Sequence, residues 1–343
     1  MKRTYFLVVI LGLFLVFTNY DSLKDNFSRV ILKNPVQPAL AETTEPVETT
    51  VSHSFPEFYR GIYLNIASAR NMKKLKKFVS DAKRSNINAF VLDAQSSRYK
   101  KCIVPAENVK YLLDNEIHPI ARVVVFPMGL KYYPVSEKLL KQKLLIAESA
   151  CIAGFKEIQF DYIRFNDSSR NRHLSLKKRY AFIEGFLARA RKYLEKYNVK
   201  IAADIFGRIP LNKRDIIGQR MEGLDKVVDV ICPMAYPSHY TWSKKLQHNP
   251  YKTVYITSKR ANDRTKSAEI VTYIQAFKMK LGPNSYPHYI SQQIKAVHDA
   301  GVRGYIFWNA RQDYRIPFQV AKKYYDKAGK ISRGERKSQE EAI

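Results

Sequence analysis

The 343-residue chain is short of cysteine, of acidic side chains and of tryptophan, and each shortage narrows its function. Its three cysteines, Cys102, Cys151 and Cys232, lie far apart without CxxC spacing, which argues against a disulfide framework or a thiolate zinc site. Two of them sit in apolar surroundings, as buried thiols do. His118, His173, His239, His288 and His298 form no HxH or HxxxH pair, so no metal site is expected. Ser238 and His239 are adjacent, but no GxSxG elbow surrounds the serine, which disfavours a Ser-His-Asp triad. Zinc-finger, RNA-recognition and phosphate-loop signatures are also missing.

Acidic residues number 31 against 59 basic ones, a formal charge of +28. That balance favours an anionic neighbour such as polysaccharide or membrane. Nucleic acid has only this bulk charge behind it and is disfavoured.

One apolar run stands out. Lys2 and Arg3 precede YFLVVILGLFLVF at residues 5–17, the pattern of an export signal. The small-residue run Ala39-Leu40-Ala41 lies too far downstream for ordinary cleavage, so residues 1–18 read as a signal peptide or an uncleaved N-terminal membrane anchor. The segment is short for a full span. The rest of the chain is then exported: anchored and facing the periplasm or cell exterior, or secreted if the segment is cleaved. Residues 19–54 are rich in Thr, Glu and Pro and read as a disordered linker. The charged tail, residues 331–343, is also expected to be disordered.

Between them, residues 55–330 alternate apolar runs with amphipathic stretches. Eight runs read as strands: 60–65, 88–93, 119–126, 157–162, 200–206, 229–236, 271–277 and 303–309. Their starts are about 28 to 43 residues apart, room for a strand, a crossover helix and two loops. Met72, Leu75, Phe78, Val79 and Ala82 make one helical stripe, and Phe182, Ile183, Phe186, Leu187, Ala190 and Leu194 another. Gly154 and Gly301 sit where helices should end. No glycine fingerprint follows the first strand, as a doubly wound sheet would usually have. The expected fold is a (β/α)8 TIM barrel.

In such a barrel the chemistry gathers at the C-terminal ends of the strands. With apolar members facing the helices, strand 2 offers Asp93, strand 3 Arg122, strand 4 Asp161 with Arg164 beyond it, and strand 5 Asp204. Strand 6 ends in Tyr236 and runs into His239, strand 7 contributes Gln275, and strand 8 ends in Trp308 and Asn309. The two tryptophans, Trp242 and Trp308, both follow strands on this face, where a flat indole suits a sugar ring. An ion-pair network filling the barrel mouth is the plainer reading of the charges.

These motifs resemble a family of bacterial glycoside hydrolase-like TIM barrels long catalogued as a domain of unknown function. The resemblance spans about residues 59–327. It rests on RGIYLN, GFKEIQFDYIRF, AADIFG followed by IGQRME, ICPMAYPSHY, YIQAF and GVRGYIFWNA. It implies a carbohydrate-active barrel, with Asp161 and Arg164 in its signature, Asp204 on the next strand, and Tyr236, Pro237, Ser238 and His239 near the sugar. After strand 2 such proteins carry further acidic residues, whereas this chain reads DAQSSRYKK and keeps only Asp93.

Glycosidic cleavage needs two carboxyl groups. Asp161 is expected as nucleophile or base and Asp204 as acid, with Asp93 as its competitor. Arg122 and Arg164 would orient the carboxylates; Tyr236, His239, Gln275 and Asn309 would bind hydroxyls; Trp242 and Trp308 would stack on rings. No cofactor is required. The substrate class is a cell-envelope or extracellular polysaccharide, possible anionic ones included. The rival reading is a non-catalytic polysaccharide-binding or cell-wall scaffold protein on the same barrel. A third is a basic envelope protein that binds anionic membrane or nucleic acid.

Overall fold

A computed structural model describes residues 54–95, 100–167 and 173–340, with side chains as far as residue 327. The expected export segment, and the linker before residue 54, lie outside the described residues. Among the described residues no helix is long and apolar enough to cross a membrane.

Eight strands, β1 (Tyr59–Leu64), β2 (Ala89–Asp93), β3 (His118–Val124), β4 (Glu157–Asp161), β5 (Lys200–Phe206), β6 (Val230–Met234), β7 (Glu269–Gln275) and β8 (Gly304–Trp308), follow one another around a closed barrel. Every pair is parallel, and β8 closes on β1 with Tyr59 opposite Gly304. Each expected strand is present with its ends shifted by two residues at most.

The connecting helices are α1 (Met72–Lys83), α2 (Ala106–Asp114), α3 (Glu137–Ile152), α4 (Leu176–Leu194), the single turn α5 (Met221–Leu224), α6 (Pro250–Asp263), α7 (Tyr286–Asp299) and α8 (Arg315–Glu340). Local chemistry starts them. Asn71, Ser136, Ser175 and Asn249 each accept a hydrogen bond from a backbone N–H in the first turn of α1, α3, α4 and α6. Gly154 and Gly301 end α3 and α7 with φ of 100° and 64°, a conformation that favours glycine. The backbone of α8 continues as helix through residues 331–340, where the sequence reading expects no structure. That stretch is rich in Arg, Lys, Glu and Gln, side chains that lose little freedom in a helix.

Strand parity sorts the core into two layers. Ile62, Leu64, Phe90, Leu92, Val123, Ile158, Phe160, Ile205 and Phe307 face the helices. Ala89, Val91, Ile120, Val230, Val271 and Ile306 fill the inside of the barrel. Polar groups therefore do not line the whole interior as the parity argument expected; they gather mainly at its two ends.

At the N-terminal end, Glu157 Oε2 accepts the Tyr59 hydroxyl at 3.0 Å and lies 3.1 Å from His118 Nε2. None of the three side chains is more than 1 % exposed. The other end carries the candidate site.

Candidate active site

β2, β3, β4 and β5 end side by side, and register places their last inward residues together. Asp93 pairs with Arg122, and Phe160 pairs with Ala203, so Asp161 and Asp204 follow as neighbours on adjacent strands. The pattern of alternate apolar residues thus delivers three carboxylates and a guanidinium to one rim.

Arg122 is the hub. Its Nε and Nη2 donate to Asp161 Oδ2 at 2.9 and 2.5 Å, while its Nη1 donates to Asp93 Oδ1 at 2.5 Å. The Tyr63 hydroxyl donates to Asp93 Oδ2 at 2.6 Å. Both Asp93 oxygens are therefore engaged, and Asp93 buttresses Arg122. Burial and Asp93 push the Tyr63 pKa well above the usual tyrosine range. Arg122 is raised above its ordinary value by Asp161 and Asp93, which overcome the opposing effect of burial.

Asp161 is 5 % exposed, and its Oδ1 accepts the backbone N–H of Tyr162 at 2.5 Å. Tyr162 adopts a left-handed φ of 53°, which turns the chain directly after the strand. Asp204 has a different environment. It is 3 % exposed, and its Oδ1 has no hydrogen-bond partner among the described residues. Burial and then the Asp161 charge push its pKa well above the usual carboxylate range, with Arg122 opposing them only in part. Two neighbouring carboxyl groups thus have opposite surroundings: one paired with a guanidinium, the other buried and unbonded at one oxygen.

A cavity of about 340 Å³ opens over them, lined by Arg122, Asp161, Arg164, Asp204, Tyr236, His239, Trp242 and Trp308 among others. Trp308 stacks on Tyr63 at 4.1 Å between ring centres and carries Arg122 over its face at 5.2 Å. Trp242 is exposed at the rim beside Tyr240. Tyr236 is buried and meets His239 edge-on at 5.3 Å, and burial followed by Asp204 and Asp161 raises its pKa far above the ordinary value. Burial and Lys280 lower the His239 pKa, which keeps the imidazole neutral near neutral pH.

Four expected roles change. Arg164 lines the cavity but does not hydrogen-bond Asp161: its Nη1 donates to the Phe165 carbonyl at 3.0 Å, and its guanidinium lies 4.5 Å from the Phe206 ring centre. Gln275 is fully buried and accepts from Ser238 N–H and the Tyr289 hydroxyl while donating to the Phe277 and Met279 carbonyls. It has no polar group left for a sugar and instead pins the β6 loop. Asn309 likewise donates to the Ala276 and Asp313 carbonyls and accepts from Arg311 N–H. Asp93, the competing second carboxylate, lines a neighbouring cavity instead.

Sequence reasoning did not single out Tyr63, Tyr162, Phe206, Arg208 or Tyr273 as site residues. For Tyr63 and Tyr273 the signal was present: Tyr273 shares inward parity with Gln275 on β7, and Tyr63 lies on the inward face of β1, a strand from which no site residue was drawn. Arg208 is held by Asp215 at 2.7 Å and Asp167 at 3.0 Å, contacts made through loops that strand parity does not reach. The loop after β2 that distinguishes this chain falls partly at residues 96–99, outside the described residues. Among the described residues, no group of three or more His, Cys, Asp or Glu side chains is arranged to hold a metal ion.

Residues 127–314 match a protein family described as "Putative glycosyl hydrolase domain". No curated protein matches the chain in sequence. Solved structures do match in fold. The glycoside hydrolase domain of PgaB (BpsB) from Bordetella bronchiseptica superposes with a TM-score of 0.58 at 11 % identity, covering 77 % of this chain and 98 % of that one. The spore cortex-lytic enzyme SleL of Bacillus cereus gives 0.55 at 10 %, covering 78 % and 74 %. A chitinase from Chromobacterium violaceum gives 0.54 at 12 %, covering 77 % and 98 %. At these identities the likeness is one of fold.

Proposed function

Because the chain belongs to this glycosyl hydrolase domain family, we propose that it cleaves O-glycosidic bonds of a cell-envelope or extracellular polysaccharide with Asp204 as general acid and Asp161 as nucleophile or base. The observation that carries the reading is the contrast between these neighbours: Asp161 is ion-paired to Arg122, whereas Asp204 is buried with a raised pKa. Carboxyl groups in such contrasting surroundings take opposite acid and base roles. Asp204 gives its proton to the leaving glycosidic oxygen. Asp161 faces the developing positive charge at the anomeric carbon.

Arg122 holds Asp161 in place, and Asp93 and Tyr63 hold Arg122. The exposed Trp242 offers a ring face to sugars, with Tyr236, His239 and the edge of Trp308 lining the same cavity. Neighbouring strands lie about 4.8 Å apart, which fits the carboxyl spacing of about 5–5.5 Å in retaining enzymes better than the ~6.5–9.5 Å of inverting ones. The PgaB glycoside hydrolase domain, the spore cortex-lytic enzyme SleL and the chitinase are named for glycosides, spore cortex and chitin, which supports a carbohydrate substrate here. The signal peptide or membrane anchor read from residues 1–18 supports a substrate outside the cytoplasm.

Full-length protein incubated with envelope and secreted polysaccharides is expected to release reducing ends, with Asp161→Asn abolishing release. Proton NMR of the first product should show retained anomeric configuration. Binding without release by the wild type would favour a scaffold over an enzyme.

A further inference from the structure

A second cavity, of about 750 Å³, adjoins the first across Arg122, which lines both. Its wall includes Asp93 and Gln95 at the end of β2, Tyr132 from the loop after β3, and Gln142 and Lys143 on α3. The catalytic scheme above uses none of Gln95, Tyr132, Gln142 and Lys143.

Lys143 is the anomaly. A position on the inner side of a barrel helix is ordinarily apolar or, if charged, paired, since a buried charge is costly without a counter-charge. Lys143 is only 7 % exposed, yet it has no ion pair or hydrogen bond among the described residues. Burial alone lowers its pKa, with no neighbouring charge contributing. The one carboxylate among the described residues of the cavity wall, Asp93, is already committed to Arg122 and Tyr63. Gln95 adds a second unmet need: its Nε2 donates to the Val124 carbonyl at 3.0 Å, while its buried Oε1 has no partner among the described residues. Tyr132 is 68 % exposed and supplies an aromatic face at the same wall.

A cation without a partner, an acceptor awaiting a donor and a ring face match the carboxylate, hydroxyl and pyranose face of one acidic sugar. Resting on the glycoside hydrolase reading, we infer that the second cavity is a subsite for a carboxylate-bearing sugar residue, which Lys143 receives while the scissile bond lies over Asp161 and Asp204. Arg122 lines both cavities, so the subsite lies beside the catalytic carboxyls. The substrate class is thereby an acidic polysaccharide.

The test is calorimetric binding to the full chain of a hexasaccharide alternating glucuronate and N-acetylglucosamine, against the same hexasaccharide with its carboxyl groups reduced to alcohols. The wild type is expected to bind the acidic form about ten- to a hundredfold more tightly, as one charge-assisted hydrogen bond allows. Lys143→Met keeps the packing of the stem and should bring the acidic form down to the affinity of the neutral one, which stays unchanged. Lys143→Arg should keep the preference. In the wild type the preference should also persist at high ionic strength, where attraction to the basic surface is screened. Equal affinity for the two forms, a preference lost in salt, or a preference retained by Lys143→Met would each overturn the subsite. Since the readout is binding, a failure to release reducing ends would count against the hydrolase reading alone.

Discussion

Burial and the Asp161 charge both oppose ionisation of Asp204 and push its pKa well above the usual carboxylate range, while Arg122 spends its hydrogen bonds on Asp161 and Asp93. This has a consequence for stability as well as for turnover. A carboxyl whose folded pKa is raised stabilises the fold fully below its unfolded value of about 3.9, and that contribution is lost as pH rises through the folded value. Wild-type melting temperature is therefore expected to fall across that window, and the slope should be missing from Asp204→Asn, which should be the more stable protein at alkaline pH. Parallel melting curves for the two proteins across pH would refute the buried, protonated Asp204. Strand parity made Asp161, Asp204 and Arg122 legible in the sequence, because it states which side chains point inward. It could not state what they meet. Gln275 and Asn309 have the right position and the wrong company, their polar atoms consumed by loop backbone. Between Asp93 and Asp204, the proposal favours Asp204 because Tyr63 and Arg122 occupy both Asp93 oxygens, contacts that strand parity does not show.

At the level of elements, the site depends on how the ends of β5 and β6 approach each other. Gly207 follows β5, and its carbonyl accepts the Tyr240 hydroxyl at 2.9 Å. A Cβ at this position would fall within 2.4 Å of both the Met234 carbonyl oxygen and the Tyr240 hydroxyl. Gly207→Ala must push the Tyr236–Tyr240 loop away from the cavity, and it should cost about 1–3 kcal/mol in denaturant unfolding, as overpacking does. An unchanged midpoint would mean that the loop gives way freely. The AADIFG motif displays this glycine, but its reason lies in a contact with a strand nearly thirty residues on. Strands and helices were readable because their periodicities are local. Helix α8 was cut short in the sequence reading because charge was taken as a sign of disorder, although most of those side chains favour helix.

For the whole molecule, the two ends of the barrel divide labour as this fold usually does, with chemistry at one and stability at the other. The Tyr59, His118 and Glu157 cluster closes the N-terminal end, far along the strands from Asp161. Glu157→Gln replaces a buried carboxyl acceptor in a hydrogen-bonded group with an amide and is expected to lower stability by about 1–3 kcal/mol while leaving turnover of the folded fraction unchanged. A selective loss of turnover at unchanged stability would place this cluster in the mechanism. The central claim is that Asp204 protonates the leaving oxygen, and leaving-group dependence tests it most directly. Turnover by wild type and Asp204→Asn is to be compared on the polysaccharide and on a dinitrophenyl glycoside of the sugar it releases, whose leaving group needs no proton. The account predicts a fall of about 10²–10⁴-fold on the polysaccharide and little change on the aryl glycoside. An equal fall on both substrates, or on neither, would contradict it.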